Sequence, residues 1–165
     1  MAAFSGFALG EVNVETNSLQ CESRVCLVNH FQGRVSCPYG QTQEDLELDP
    51  TAPERCRIPG TDGSQDTDAV TVPVRAWQPD RDADATVYCS CRCDGPDPDA
   101  RYCKCPGGFT CEPLVADLSI GSDRQLIGSY CIREGTRYDD ATPRGSDCRR
   151  DPSQDGCPGE PLVNP

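Results

Sequence analysis

The chain is short of several ingredients that usually announce a function. His30 is the only histidine in 165 residues, and Lys104 is the only lysine among fifteen basic ones. Aromatics make up 6% and apolar residues 36% even with cysteine counted, so a chain of this length buries a thin hydrophobic core. No stretch approaches the roughly 18 apolar residues that a membrane-spanning helix needs. No Cys-x-x-Cys occurs anywhere. That removes the knuckles of zinc ribbons and the redox motif of thioredoxin-like folds. No Gly-x-Ser-x-Gly or oxyanion-type glycine run marks a hydrolase, and no self-similar period marks a repeat fold.

What is abundant is cysteine. Thirteen are present: Cys21, Cys26, Cys37, Cys56, Cys89, Cys91, Cys93, Cys103, Cys105, Cys111, Cys131, Cys148 and Cys157. All are disulfide candidates, because a reducing cytosol would leave them open to oxidation and stray metals whereas an oxidising compartment pairs them. Cross-links would compensate for the thin core at about 2–4 kcal/mol each. The odd count leaves one thiol free, joined to another chain, or separated from a partner upstream. The start, Met1-Ala-Ala-Phe-Ser-Gly-Phe-Ala-Leu-Gly, has no basic n-region and no cleavage site before Glu11 and Glu15. A mature form, a fragment or a late start is therefore expected, and any lipid anchor would need a missing N-terminus.

The net charge of −12, from 27 acidic and 15 basic residues, argues against nucleic acid and against anionic lipid bound through a basic patch. Arginine in place of lysine, beside so much Ala, Gly, Pro and Asp, reflects a GC-rich coding sequence more simply than guanidinium recognition.

Along the chain, short alternating runs predict strands. Val12-Asn-Val14 is one, and Val25-Cys-Leu-Val28 with Arg34-Val-Ser-Cys37 predicts a hairpin turning at Gln32-Gly33. Residues 41–68 are acidic and rich in proline and glycine, an inserted loop tied by Cys56. Val70–Trp77 predicts an edge strand because Pro73 lacks a donor, and 85–93 predicts another. Residues 112–130 carry Leu114, Val115, Leu118 and Ile120 at helix-like spacing, followed by a closing strand at 126–132. The rest, 135–165, predicts an irregular or disordered Pro/Gly/Asp-rich tail with Cys148 and Cys157 pinning one loop.

In one extended strand Cys89, Cys91 and Cys93 would share a face at about 6.6 Å between successive Cα atoms, with side chains running parallel. None can then bond its neighbour, so partners come from elsewhere. An antiparallel return would set Cys93 opposite Cys103 and Cys91 opposite Cys105, leaving Cys89 a distant partner and Cys111 with Cys131 bracketing the helix. The sharper alternative is a thiolate site for zinc or copper, whose sulfurs must converge to roughly 3.8 Å.

Asp80-x-Asp82-x-Asp84 begins like a calcium loop, but Ala85 stands where glycine is required and Cys91 where a bidentate glutamate belongs. Those aspartates, and the sets Asp62, Asp66, Asp68 and Asp94, Asp97, Asp99, read as acidic solvated turns. His30 is the one conceivable general base of a hydrolase, and reads instead as a turn or packing residue. Trp77 and Tyr88 would form an exposed ligand platform or pack onto disulfides. No catalytic residue, cofactor or metal site is assigned.

Cys103-Lys-Cys105-Pro-Gly-Gly-Phe-Thr-Cys111 resembles the C-terminal hairpin of EGF-like modules over nine residues. The final spacing is shorter here, and the upstream acidic motif of calcium-binding members is missing. Cys21-Glu-Ser-Arg-Val-Cys-Leu-Val-Asn-His-Phe, Val87-Tyr-Cys-Ser-Cys-Arg-Cys93 and Gly128-Ser-Tyr-Cys-Ile132 together resemble uncharacterised cysteine-rich secreted proteins or lipoproteins of myxobacteria and related bacteria. That resemblance spans most of 7–134 and implies a bacterial envelope location and an upstream lipobox cysteine, but no activity.

The expectation is a small all-β, disulfide-rich, loop-rich single domain over 5–134, with 41–68 inserted and 135–165 as tail. Its expected role is non-enzymatic: an extracellular or cell-envelope (periplasm or outer surface) interaction protein binding an unknown protein or surface ligand through the 41–68 loop.

Overall fold

Alternating apolar residues at Val12–Glu15 form β1, and Val25–Asn29 forms β2 beside it. After a one-turn helix, α1 (Ala83–Thr86), the chain extends as β3 (Val87–Ser90), β4 (Arg92–Asp94), β5 (Phe109–Val115) and β6 (Gly128–Arg133). The computed structural model describes residues 4–116, 125–142 and 144–158. They make a small disulfide-rich all-β fold with six disulfides and one very short helix.

Two compact units interleave in sequence, one from 1–10, 31–82 and 141–165, the other from 11–30 and 83–140.

The strands belong to the second unit, in two three-stranded antiparallel sheets ordered β1-β2-β3 and β4-β6-β5. Register fixes what faces inward. Val14, Leu27 and Tyr88 lie in one cross-strand row, and Glu15, Cys26 and Cys89 in the next. Because side chains alternate in a strand, the first row joins the apolar core and the second takes the opposite face. The core is Leu27, Tyr88, Tyr130 and Ile132, backed by Val12, Val14, Val25, Phe109, Leu114 and Val115. Tyr88 meets Phe109 edge-on at 5.6 Å, and its hydroxyl accepts from the Arg133 amide at 3.1 Å.

The first unit has no regular strand among its described residues. Its backbone is tied by isolated bridges, Phe7 with Gly33, Arg34 with Cys37, Gln41 with Val74 and Arg57 with Ala69, plus short 3-10 turns at Asp45–Glu47 and Asp66–Asp68. The Cys37–Cys56 disulfide is buried with Val70 and Val74, and Phe31 lies edge-on between Phe7 and Trp77. Gln41 and Arg55 replace the missing ladder. The Gln41 amide nitrogen donates to the Val70 and Val72 carbonyls while its oxygen accepts from the Cys56 amide and Arg55 Nε. Arg55, 4% exposed, also donates to the carbonyls of Leu46, Leu48 and Val70.

Several expectations are corrected. The run at 85–93 is not one strand: it opens as a helical turn and breaks at Cys91, so β3 and β4 enter different sheets. The hairpin expected at 25–37 is absent because β2 spends both edges on β1 and β3. Val70–Trp77 pairs only at single bridges, as Pro73 cannot donate to a ladder. Residues 112–115 lie in β5, not a helix, and 117–124 lie outside the described residues. The segment 141–158 is irregular and Cys148 bonds Cys157 as expected, and beyond that pin Arg149 clamps both oxygens of Asp45 at 2.9 and 2.7 Å and the Tyr39 hydroxyl donates to the Pro158 carbonyl.

Candidate functional site

The break at Cys91 decides the sulfur chemistry. With β3 and β4 in separate sheets, Cys89, Cys91 and Cys93 each find a different partner. Cys89 bonds Cys21 on the β1–β2 connection, Cys91 bonds Cys103, and Cys93 bonds Cys111 on β5. Cys105 bonds Cys131 on β6. The expected pairings of Cys93 with Cys103, Cys91 with Cys105 and Cys111 with Cys131 are therefore wrong. Cys111 and Cys131 do face each other across β5 and β6, but each is bonded elsewhere. Three of these disulfides crowd together: the Cys131 sulfur lies 3.7 Å from those of both Cys91 and Cys103. Two triads, Cys91/Cys103/Cys131 and Cys93/Cys105/Cys131, have all sulfurs within 4.8 Å of one another.

A groove of about 380 Å³ opens along this cluster in the second unit. Cys89, Cys91 and Cys131 line it with Pro106 and Phe109, and Gln20, Glu22 and Ser23 supply a further stretch of its wall. That stretch is the β1–β2 turn, where Arg24 holds a left-handed φ of 61° and its amide bonds the Cys21 carbonyl at 2.9 Å. Cys21 is 4% exposed, whereas Cys89 is exposed.

Cys26 is the free cysteine. It is half-buried in β2, between Glu15 on β1 and Cys89 on β3. Burial, reinforced by the Glu15 carboxylate, pushes its pKa above the ordinary thiol value, so the thiol stays protonated near neutrality.

His30 follows β2 with a left-handed φ of 52° and stacks on Tyr138 at 3.9 Å between ring centres, 9° from parallel. The small cavity beside it, about 170 Å³, is lined by Glu112, Arg137 and apolar groups, and no serine or cysteine lines it among the described residues. A nucleophile for the hydrolase alternative is thus not brought to it. Tyr88 lies in β3 but Trp77 lies in no strand, so the expected pair of neighbouring strands is not formed. Trp77 donates its indole N–H to the Arg34 carbonyl, and Tyr88 sits in the sheet core.

The acidic sets serve their own turns. Asp62 accepts from the Ser64 amide, Asp68 from Gln65, Asp94 from Gly95 and Asp97 from Asp99, while Asp80 pairs with Arg144. The first unit holds the largest cavity among those described, about 570 Å³, lined by Phe7, Val74 and Ala76 together with Gln41, Asp147 and Arg149.

What sequence reasoning missed was Cys26 as the odd thiol. No spacing signal identifies it, since Cys26 stays free only because Cys89, its register partner on β3, is bonded to the distant Cys21. No described helix is long and apolar enough to cross a membrane. No protein-family model, curated protein or solved structure matches the chain.

Proposed function

We propose that the chain is a non-enzymatic interaction protein of the extracellular space or cell envelope, a covalently stapled scaffold that presents loops. The observation that carries this reading is six disulfides with one free thiol, Cys26, a pattern at home in oxidising compartments. The binding element is the tip of the 41–68 segment. Its base is pinned by Cys37–Cys56, Gln41 and Arg55, while Ile58 and the acidic residues Asp62 and Asp66 stand exposed. A rigid base lowers the ordering cost of binding through such a loop. The test is alkylation without reduction, read by intact mass, on protein recovered from the extracellular and envelope fractions. One alkylated cysteine, Cys26, is expected. More than about three, or recovery of the protein only from cytosol, overturns the reading.

A second reading rests on the two sulfur triads, which in reduced protein would offer converging thiolates to zinc or copper. Protein purified without reductant is then expected to carry stoichiometric metal and free thiols. Metal below stoichiometry with six intact disulfides rejects it.

A further inference from the structure

We propose that Cys21, Cys26 and Cys89 form a thiol–disulfide exchange site, in which Cys89 changes partner from Cys21 to Cys26 when a small thiol attacks it from the groove. Cys26 and Cys89 are register partners on adjacent antiparallel strands. Such cross-strand pairs share a face with Cβ atoms about 4.5–5.5 Å apart, close to the span a disulfide bridges. Cys89 therefore has two candidate partners, the bonded Cys21 on the turn and the free Cys26 beside it.

Access favours attack at one sulfur. Cys89 is exposed and lines the groove, whereas Cys21 is 4% exposed. An incoming thiolate attacks the Cys89 sulfur. The new S–S bond joins Cys89 to the attacking thiol, and Cys21 leaves as a thiolate that takes a proton from solvent. Cys26 then gives up its proton to solvent and attacks the same Cys89 sulfur, forming Cys26–Cys89 and expelling the small thiol as thiolate, which takes a proton in turn. Two disulfide exchanges have occurred, nothing is net oxidised or reduced, and the small thiol is regenerated.

The exchange also has a structural effect. Cys21 sits in the turn whose neighbours Gln20, Glu22 and Ser23 make part of the groove wall. Its disulfide is what ties that wall covalently to β3. Moving the bond to Cys26 joins β2 to β3, which are already paired, and releases the wall, so the groove opens onto Pro106 and Phe109.

The probe is reduced glutathione at low concentration with the oxidised full chain, quenched with N-ethylmaleimide and mapped after trypsin. Arg24 lies between Cys21 and Cys26, so their peptides separate. The label is expected on Cys26 before treatment. After treatment it moves to Cys21, a Cys26–Cys89 linked peptide appears, and the total number of disulfides is unchanged. In Cys26→Ser the exchange stalls, and the Cys89–glutathione mixed disulfide is expected at least about tenfold above its wild-type level. The proposal is overturned if the label stays on Cys26, if Cys148–Cys157 reacts before Cys21–Cys89, or if Cys26→Ser leaves the mixed disulfide unchanged. The wild-type mapping decides even if the variant fails to fold.

Discussion

Arg55 and Gln41 do work that apolar side chains do in most folds. Arg55 spends its guanidinium on four acceptors, the carbonyls of Leu46, Leu48 and Val70 and the Gln41 oxygen. On truncation the Val70 carbonyl keeps the Gln41 amide, but the part-buried Leu46 and Leu48 carbonyls and the Gln41 oxygen lose a charged donor, and a buried acceptor left unsatisfied costs about 1–3 kcal/mol. Arg55→Leu is therefore expected to lower stability by about 2–4 kcal/mol in urea unfolding of the oxidised protein. Neither residue is readable as structural in the sequence. A charged residue in a proline-rich acidic stretch reads as solvated, and only the closed loop reveals the carbonyls that it meets.

Asp45 supplies a pH dependence. Partial burial opposes its ionisation, but hydrogen bonds from Thr42 and the Arg149 guanidinium outweigh that and hold the carboxyl below the ordinary carboxylate range. A carboxyl depressed in the folded state stabilises above its unfolded pKa, and that contribution is lost as pH falls through the folded value. Stability is thus expected to drop on acidification below about pH 4. Asp45→Asn is expected to flatten that drop, measured by denaturant midpoints across the acid range.

Among the elements, β4 and β6 meet so closely that only glycine fits at one position. Gly128 has φ 142°, and a methyl group there would lie 2.2 Å from the Asp94 carbonyl oxygen. Gly128→Ala is expected to cost about 2 kcal/mol or more and to blur the near-ultraviolet signal of Tyr130, which pairs with Arg92 in the same ladder. The disulfides differ in loop length, 68 residues for Cys21–Cys89 against 9 for Cys148–Cys157. On the chain-entropy account the longer one stabilises by about 4 kcal/mol and the shorter by about 3. Replacing both cysteines of each pair by serine should show that ordering in denaturant midpoints, and the reverse ordering would mean native-state contacts outweigh loop entropy. β1, β2 and β6 were legible from alternation and β-branched content. The break at Cys91 was not, because Tyr88-Cys-Ser-Cys-Arg-Cys93 alternates without interruption and the two sheets that divide it are assembled from distant segments.

For the whole molecule, cross-links carry what the core cannot. Six disulfides at about 2–4 kcal/mol each together match or exceed the 5–15 kcal/mol typical of total stability. Complete reduction by a dithiol is therefore expected to unfold the chain at room temperature, visible as loss of far-ultraviolet strand signal and of slow hydrogen exchange. The charge of −12 repels itself, and salt screens that repulsion as the Debye length shrinks from about 30 Å at 0.01 M to about 8 Å at 0.15 M. The melting temperature of the oxidised protein should rise by a few degrees over that range, and no rise would mean that the acidic residues are already neutralised locally in their turns.

Composition alone determined the class of this protein. Many cysteines, few aromatics and frequent Pro and Gly point to a cross-linked, loop-rich fold, because burial cannot offset the entropy of ordering the chain without staples, and the short alternating runs make it β. Tertiary structure decided which sulfurs meet. Pairing depends on which strands become neighbours and in what register, and that is set by long-range contacts between segments as far apart as Cys21 and Cys89, so no local spacing encodes it. The same register left Cys26 as a thiol beside a disulfide.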